Sequence, residues 1–273
     1  MSEIVTEYKG YRLFAEKFGH GPEPLITFHG FGQNAAIYHV FDDVLKDKFT
    51  VYSFEHFHHG RSFYPPNKRK SAPFSPDDWK QLMGLFLVEN NIQTFSLMGY
   101  SLGGKTALQT LEMFPERVNR LVLLAPDGVI ESGWYEFVSR NPAGELLYKS
   151  FINKPAILFP LMKGMTKIGV VSDKEYKFAS SQLDSEDKRK LVYYTWRSYA
   201  LIRPHLTTIK QIINRRKISA HIITGKYDTV LNPRIGKTFI EGLHDGCSHI
   251  EIKASHDLLR FKTGETLREV LSS

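Results

Sequence analysis

The stretch TFSLMGYSLGGKTALQTLEMFPERVNRLVLL, residues 94–124, decides the fold. Thr94–Met98 is a short apolar run of the kind buried on both faces of a sheet. Gly99–Gly104 is a glycine-rich turn. Thr106–Met113 has helical spacing and stops ahead of Pro115, which cannot continue a helix. Val118–Leu124 is the most apolar strand of the chain. Strands alternating with helices in this way predict a mostly parallel sheet covered by helices on both faces.

Working outward, the same rhythm holds on either side. Glu3–Tyr8 and Tyr11–Phe18 read as strands turning at Lys9–Gly10, a hairpin. Leu25–Phe28 is a short apolar run ending at His29-Gly30. Gln33–Leu45 has helical spacing, and Phe49–Phe54 is again a strand, followed by a loop with Pro65 and Pro66. Ser75–Asn90 reads as a helix with Ser75 as N-cap, Pro76 in the first turn, and Asp77 and Asp78 at the positive end of its dipole. The rhythm lapses over 129–216, which reads as helices and loops rich in aromatics. It resumes with a strand at Ala220–Thr224, a helix around Pro233–Leu243, a strand at His249–Lys253 and a last helix over Asp257–Leu271. The expectation is one α/β domain made of residues 1–128 and 217–273, carrying a helical insertion at 129–216.

Composition narrows the function classes. A chain of 273 residues can bury roughly three quarters of its unfolded surface, so it needs no disulfide or metal staple. Cys247 is the one cysteine, which rules out an intramolecular disulfide and a cysteine-based zinc cluster. No metal and no cofactor is expected. The N-terminal stretch lacks the basic and apolar regions of a signal peptide. No apolar run approaches the ~18–20 residues of a membrane span. The expectation is a cytoplasmic protein with no stable membrane insertion. The oligomeric state is not addressed by composition.

The net charge is +7, and all of it falls within 129–216, where 15 Lys and Arg face 8 Asp and Glu. With no nucleic-acid-binding module beside it, this excess does not point to nucleic acid. The preferred reading is a solvated basic face, as in Asp187-Lys188-Arg189-Lys190. The alternative is a field that steers an anionic acyl substrate or docks on an anionic membrane.

Gly99-Tyr100-Ser101-Leu102-Gly103 is a G-x-S-x-G motif between an apolar strand and a helix, the context a nucleophile elbow requires. The turn is so tight that the serine sits in a strained backbone conformation and its flanks must be small. The hydroxyl is then exposed above the sheet, and the Leu102 N–H faces the same point at the start of the next helix. The bland reading is an ordinary glycine turn. Earlier in the chain, the Phe31 N–H of His29-Gly30-Phe31-Gly32 offers a second donor for a developing oxyanion; His29 itself reads as structural support.

A serine hydroxyl needs a base. Of eleven histidines, His256 is the best candidate. It follows a strand and precedes the last helix, at the strand's C-terminal end, where open parallel sheets build their sites. His249 falls inside a strand. His56, His58 and His59 sit in a loop and read as surface or structural residues. An acid must orient the imidazole: Asp228, directly after a strand, is preferred and Asp127 is the runner-up. The chain order Ser101, Asp228, His256 is that expected on this kind of fold.

Taken together, HGFG at 29–32, HHGRS at 58–62, GYSLGG at 99–104, FPERV at 114–118, LVLLAP at 121–126, GKYD at 225–228 and SHD at 255–257 resemble the α/β-hydrolase superfamily over nearly the whole chain outside the insertion. The resemblance implies Ser101 as nucleophile, Asp228 as acid and His256 as base. It implies Phe31 and Leu102 as the oxyanion hole, and a cap (lid) over the site at 129–216. Relatives carry an aspartate where this chain has Glu55, which leaves open how the following turn is bonded. Relatives that cleave carbon–halogen bonds or epoxides use aspartate at the elbow, so Ser101 argues against both reactions. The implied activity is a serine hydrolase of a small-molecule carboxylic ester or related acyl compound, acting through an acyl-enzyme. The alternatives are a carbon–carbon bond hydrolase or thioesterase of the same fold, or a catalytically silent ligand-binding protein.

Overall fold

The structure, a computed structural model, describes residues 1–65, 72–130, 133–153, 155–167, 176, 180 and 183–272. Eight strands form one sheet: β1 Ser2–Tyr8, β2 Tyr11–Phe18, β3 Glu23–Phe28, β4 Phe49–Phe54, β5 Phe95–Tyr100, β6 Val118–Leu124, β7 Ser219–Gly225 and β8 Ser248–Ile252. Their spatial order is β1-β2-β4-β3-β5-β6-β7-β8. The β1–β2 and β2–β4 pairs are antiparallel, and every other pair is parallel. The first hairpin pairs Tyr8 with Tyr11 around Lys9 at φ 50° and Gly10 at φ 81°, two positive values as a type I′ turn requires.

This order contains one reversal, and it locates the site. From β3 the chain crosses to β4 on one side; from neighbouring β5 it crosses to β6 on the other. The loops leaving the C-terminal ends of β3 and β5 therefore diverge, and such a point is where open α/β sheets bind their ligands. The loop after β3 begins with His29-Gly30, and the one after β5 begins with Ser101.

Strand periodicity sorts the core into two faces. Met98 and Tyr100 of β5 point the same way as Val122 and Leu124 of β6. They pack with Leu267, Val270 and Leu271 of the C-terminal helix, Phe261–Ser272. On the other face, α2 (Pro76–Glu89) brings Trp79 to Phe28 and Phe86 to Phe54. The Trp79 indole donates to Thr110 Oγ1 on α3 (Leu102–Met113), 3.0 Å away. The N-terminus of α2 has the expected cap: Ser75 is extended and its hydroxyl accepts the Asp78 N–H at 3.0 Å.

Three expected boundaries shift. The Gln33–Leu45 segment is a 3-10 helix, Ala35–Phe41, followed by a single α turn, α1 Asp42–Leu45. Helix α3 spans Leu102–Met113, starting four residues before the expected Thr106. The low helix propensity of Gly103 and Gly104 is overridden by what those glycines must touch. The last helix begins at Phe261 instead of Asp257.

The described residues divide into two compact units. The first takes Met1–Pro65, Ser75–Ile130 and Ile202–Ser273; the second takes the described part of Pro66–Phe74 and Glu131–Leu201. The expected insertion, 129–216, therefore runs too far. Its last helix, Leu206–Arg216, packs on α3 within the first unit. The second unit contains α4 Gly133–Arg140, α5 Pro142–Asn153, α6 Pro155–Lys167 and α7 Glu186–Ser198. Further described helices are α8 Leu206–Arg216, α9 Arg234–Ile240 and α10 Phe261–Ser272.

Within the second unit several of the conspicuous aromatics are packing residues. Tyr148 stacks on Tyr193, and Trp196 meets Tyr135 edge-on. Lys188 and Lys190 pair with Asp184 and Glu186 one turn away, as an exposed basic face does. Arg189 of the same run turns inward and donates to the Ile152 and Leu183 carbonyls, so the run is not solvated throughout.

The α2 cap gives a stability prediction. Ser75→Ala should lower unfolding free energy by about 1 kcal/mol and Ser75→Gly by only a few tenths, read from urea denaturation midpoints. Equal loss in both variants would contradict the cap.

Candidate active site

Ser101 has φ 50° and ψ −118°, a region that residues with a side chain rarely adopt. It is held there on both sides. Its N–H donates to the Leu124 carbonyl at 3.0 Å, and its own carbonyl accepts the Gly104 and Asp127 N–H groups, each at 2.8 Å. Close approach explains the surrounding glycines. A Cβ on Gly99 would strike the Gly103 carbonyl, one on Gly103 the Phe28 carbonyl, and one on Gly104 the Pro126 ring. The elbow is thus wedged between β3 and the loop after β6.

His256 and Asp228 arrive from the far end of the sheet. After β7 the chain turns, with the Asp228 N–H donating to Gly225 O at 3.0 Å. Asp228 Oδ1 accepts the Val230 and Leu231 N–H groups at 2.8 and 2.9 Å. Its Oδ2 is 2.8 Å from His256 Nδ1. His256 Nε2 is 3.0 Å from Ser101 Oγ. The Asp228 side chain is 2% exposed and that of His256 15%. A carboxylate accepts, so Nδ1 carries the proton and Nε2 is left to accept the serine hydroxyl. Tyr100 supports the imidazole from below: its hydroxyl donates to the His256 carbonyl at 3.2 Å and its ring lies 5.5 Å from the imidazole. Burial, with the charges of Asp257 and Asp228, pushes the Tyr100 pKa up and keeps it a donor.

The structure thus brings Ser101, His256 and Asp228 into one hydrogen-bonded line within the first unit. Asp127 goes elsewhere: its Oδ1 accepts the Gly128 N–H at 2.8 Å. His249 Nε2 is 2.7 Å from Thr224 Oγ1. Leu102 opens α3, the residue after the serine, and Phe31 lies in the loop after β3. Among the described residues, no three His, Cys, Asp or Glu side chains gather to hold a metal ion.

Sequence reasoning missed what lies beneath the Phe31 loop. His29, His56 and His59 are all buried, with the His29 ring 4.7 Å from that of His56 and 5.4 Å from that of His59. His59, read from sequence as surface or structural, accepts the Gly32 N–H at Nε2, 3.0 Å away. His56 donates its own N–H to His29 Nε2 at 3.1 Å. The spacing HG…HFHH carried no signal for this contact, which joins the ends of two neighbouring strands.

Glu55 resolves the open turn. Its carboxylate, 3% exposed, accepts the Arg61 N–H at Oε2, and its Oε1 is 3.6 Å from the Arg61 guanidinium. The Ser62 hydroxyl donates to the Glu55 carbonyl at 2.6 Å. The longer side chain reaches across the turn because Gly60, at φ 50°, leaves free the space a Cβ would take from the carboxylate. Glutamate thus closes this turn through the Arg61 N–H.

Residues 23–150 match the family described as the alpha/beta hydrolase fold. The elbow conformation, the strand reversal and this match agree. The chain has the α/β-hydrolase fold. The chain is 32% identical over 120 residues to an uncharacterised protein of Mycobacterium tuberculosis, covering 44% of this chain and 33% of that one. It is 33% identical over 111 residues to a (lyso)-N-acylphosphatidylethanolamine lipase of Mus musculus, covering 38% and 30%. The matched stretch spans about a third of the length of these curated relatives. Among solved structures, a thermophilic esterase from Thermogutta terrifontis aligns over 100% of this chain and 98% of its own, with TM-score 0.68 and 14% identity. An enol-lactonase from Burkholderia xenovorans LB400 aligns over 99% and 100%, with TM-score 0.66 and 18% identity. At these identities the structural likeness establishes the fold. No described helix is long and apolar enough to cross a membrane.

The buried histidines contribute to how the fold responds to acid. Burial lowers the His29 pKa to about 3 and that of His59 to about 4, and lowers that of His56 as well. The unfolded chain takes up protons at all three below about pH 6.5, whereas the folded chain does not until far lower pH. Stability from these groups is therefore full above pH 6.5 and falls as pH drops through 6 to 4. Urea unfolding at pH 5 should show uptake of about three protons from this cluster. A midpoint flat between pH 7 and 4.5 would contradict neutral burial.

Proposed function

We propose that this chain is a serine hydrolase acting on a small-molecule carboxylic ester or a closely related acyl compound. The observation that carries the reading is the continuous line from Ser101 Oγ to His256 Nε2 at 3.0 Å and from His256 Nδ1 to Asp228 Oδ2 at 2.8 Å.

The chemistry follows from the proton inventory. His256 Nε2 takes the Ser101 proton as Oγ attacks the acyl carbon, and the imidazolium so formed is stabilised by Asp228. Two backbone N–H bonds fix Asp228 Oδ1, so Oδ2 is pre-aimed and need not reorganise during the reaction. As the acyl C=O opens to a tetrahedral centre, its oxygen becomes an anion. The Leu102 N–H, at the positive end of α3, is one donor to it. The Phe31 N–H is the second. Each such donor typically supplies about 3–4 kcal/mol of transition-state stabilisation. The bond from the acyl carbon to the leaving oxygen breaks as His256 returns the proton to that oxygen and an alcohol departs. Water then adds to the acyl-Ser101 ester by the same proton path and releases the acid. An anionic acyl group, steered by the basic excess within 129–216, is the substrate variant to test beside neutral esters.

The direct test is covalent labelling by a fluorophosphonate probe with p-nitrophenyl ester turnover measured in parallel. Wild type should label stoichiometrically, and Ser101→Ala should neither label nor turn over above background. His256→Ala and Asp228→Asn should lower kcat by roughly 10³-fold or more with KM little changed. A folded wild type that takes no label and hydrolyses no ester, thioester or lactone would refute the proposal. Steering makes a separate prediction: kcat/KM for an anionic ester falls with added salt while that for a neutral ester does not.

A further inference from the structure

The loop after β3 is tied down one peptide at a time. The Gly30 N–H donates to Gln33 Oε1 at 2.9 Å. The Gly30 carbonyl lies 2.7 Å from His29 Nδ1. The Gly32 N–H donates to His59 Nε2 at 3.0 Å. Among the described residues, the Phe31 N–H is the one amide of residues 30–33 with no acceptor. The histidine tautomers are fixed by their partners, because a carbonyl only accepts and a backbone N–H only donates. His29 therefore carries its proton on Nδ1, with Nε2 accepting the His56 N–H at 3.1 Å. His59 donates Nδ1–H to the Phe57 carbonyl at 3.1 Å and keeps Nε2 as the acceptor for Gly32.

Peptide planarity turns these bonds into a statement about Phe31. The Gly30 carbonyl and the Phe31 N–H belong to one peptide group, and in a trans peptide they point in opposite directions; there is no cis bond among the described residues. Holding the Gly30 oxygen holds the direction of the Phe31 N–H. Donation into that oxygen also polarises the peptide and strengthens its N–H as a donor. The peptide that follows, Phe31–Gly32, is held through its own N–H by His59.

We propose that His29 and His59 are positioning residues that clamp the two peptides flanking Phe31 and so fix its N–H as an oxyanion donor. The inference rests on the ester-hydrolase reading and deepens it. Burial keeps both rings neutral, with pKa values lowered to about 3 and about 4, so the lone pairs and protons assigned above persist in neutral solution.

Two pairs of variants in the full chain test it. His59→Gln keeps an acceptor at the position of Nε2, and His59→Leu removes it. His29→Asn keeps an N–H at the position of Nδ1, and His29→Leu removes it. In an ester-active wild type, each Leu variant should lose roughly 10- to 100-fold in kcat, less than deletion of a donor, with KM within about twofold. Phosphonate labelling should slow in parallel. The Gln and Asn variants should recover at least half of that loss on a logarithmic scale, whatever their thermal midpoints. A loss that follows thermal midpoint alone, equal in Leu and Gln, would mean packing without positioning and overturns the proposal. Long-range ¹⁵N–¹H spectra of the wild-type imidazoles supply a readout independent of activity and of whether His29→Leu folds. Both rings should be protonated at Nδ1 only, unchanged from pH 8 to 5. An Nε2–H tautomer or a titration near pH 6.5 in either ring overturns the clamp even if the protein is a good esterase. Conversely, the expected spectra in a wild type without label or turnover would locate the failure in the hydrolase reading and remove the clamp's proposed purpose.

Discussion

One backbone conformation organises this molecule: Ser101 at φ 50° and ψ −118°. Such a geometry costs of order 1–3 kcal/mol and survives only where its surroundings over-determine it. Here three hydrogen bonds on Ser101 and the contacts of three neighbouring glycines do so. The consequences spread outward. Gly103 must lie against the Phe28 carbonyl, so β5 must neighbour β3. Helix α3 must begin immediately after the serine, so the Leu102 N–H lies in its first turn. The reversal of strand order between β3 and β5 makes the loops after them diverge at that serine.

The polar interior around this point is built mainly from neutral donors and acceptors. Three buried imidazoles would each be costly as cations; His29 and His59 are donor–acceptor bridges whose protons are dictated by backbone partners, and the His56 ring donates Nε2–H to the His29 carbonyl. Where charge is buried, it is met by N–H groups. Glu55 accepts the Arg61 amide, and Asp228 accepts two amides and an imidazole. The second unit shows the converse, where the buried Arg189 cation is met by two carbonyls. A buried ionic group stripped of one such partner would destabilise its surroundings strongly, so these side chains are parts of the loops they hold.

The strained serine and the hydrogen bonds around it draw on different parts of the chain. The elbow comes from residues 99–104, the Phe31 loop from 29–33, its imidazole support from 56–59, and the Asp228–His256 arm from the turns after β7 and β8. In a close-packed sheet such ends cannot move independently. That rigidity suits a site proposed to stabilise charge by preorganised dipoles.

The sequence by itself determined the alternation of strands and helices, the hairpin at Lys9–Gly10, the Ser75 cap and the glycine elbow, because each rests on spacing or sterics within a few residues. It also placed Ser101, Asp228 and His256 at the C-terminal ends of strands, from punctuation visible in one dimension. Only the tertiary structure decided between Asp228 and Asp127 as the partner of His256, since both follow strands and differ only in what faces them. It likewise turned His56 and His59 from loop residues into the support of the Phe31 loop, gave Glu55 the turn of Arg61, and assigned Leu206–Arg216 to the first unit through its packing on α3. Those outcomes depend on which strand ends lie side by side, and strand order is set by contacts between residues far apart in the chain, which local pattern does not encode.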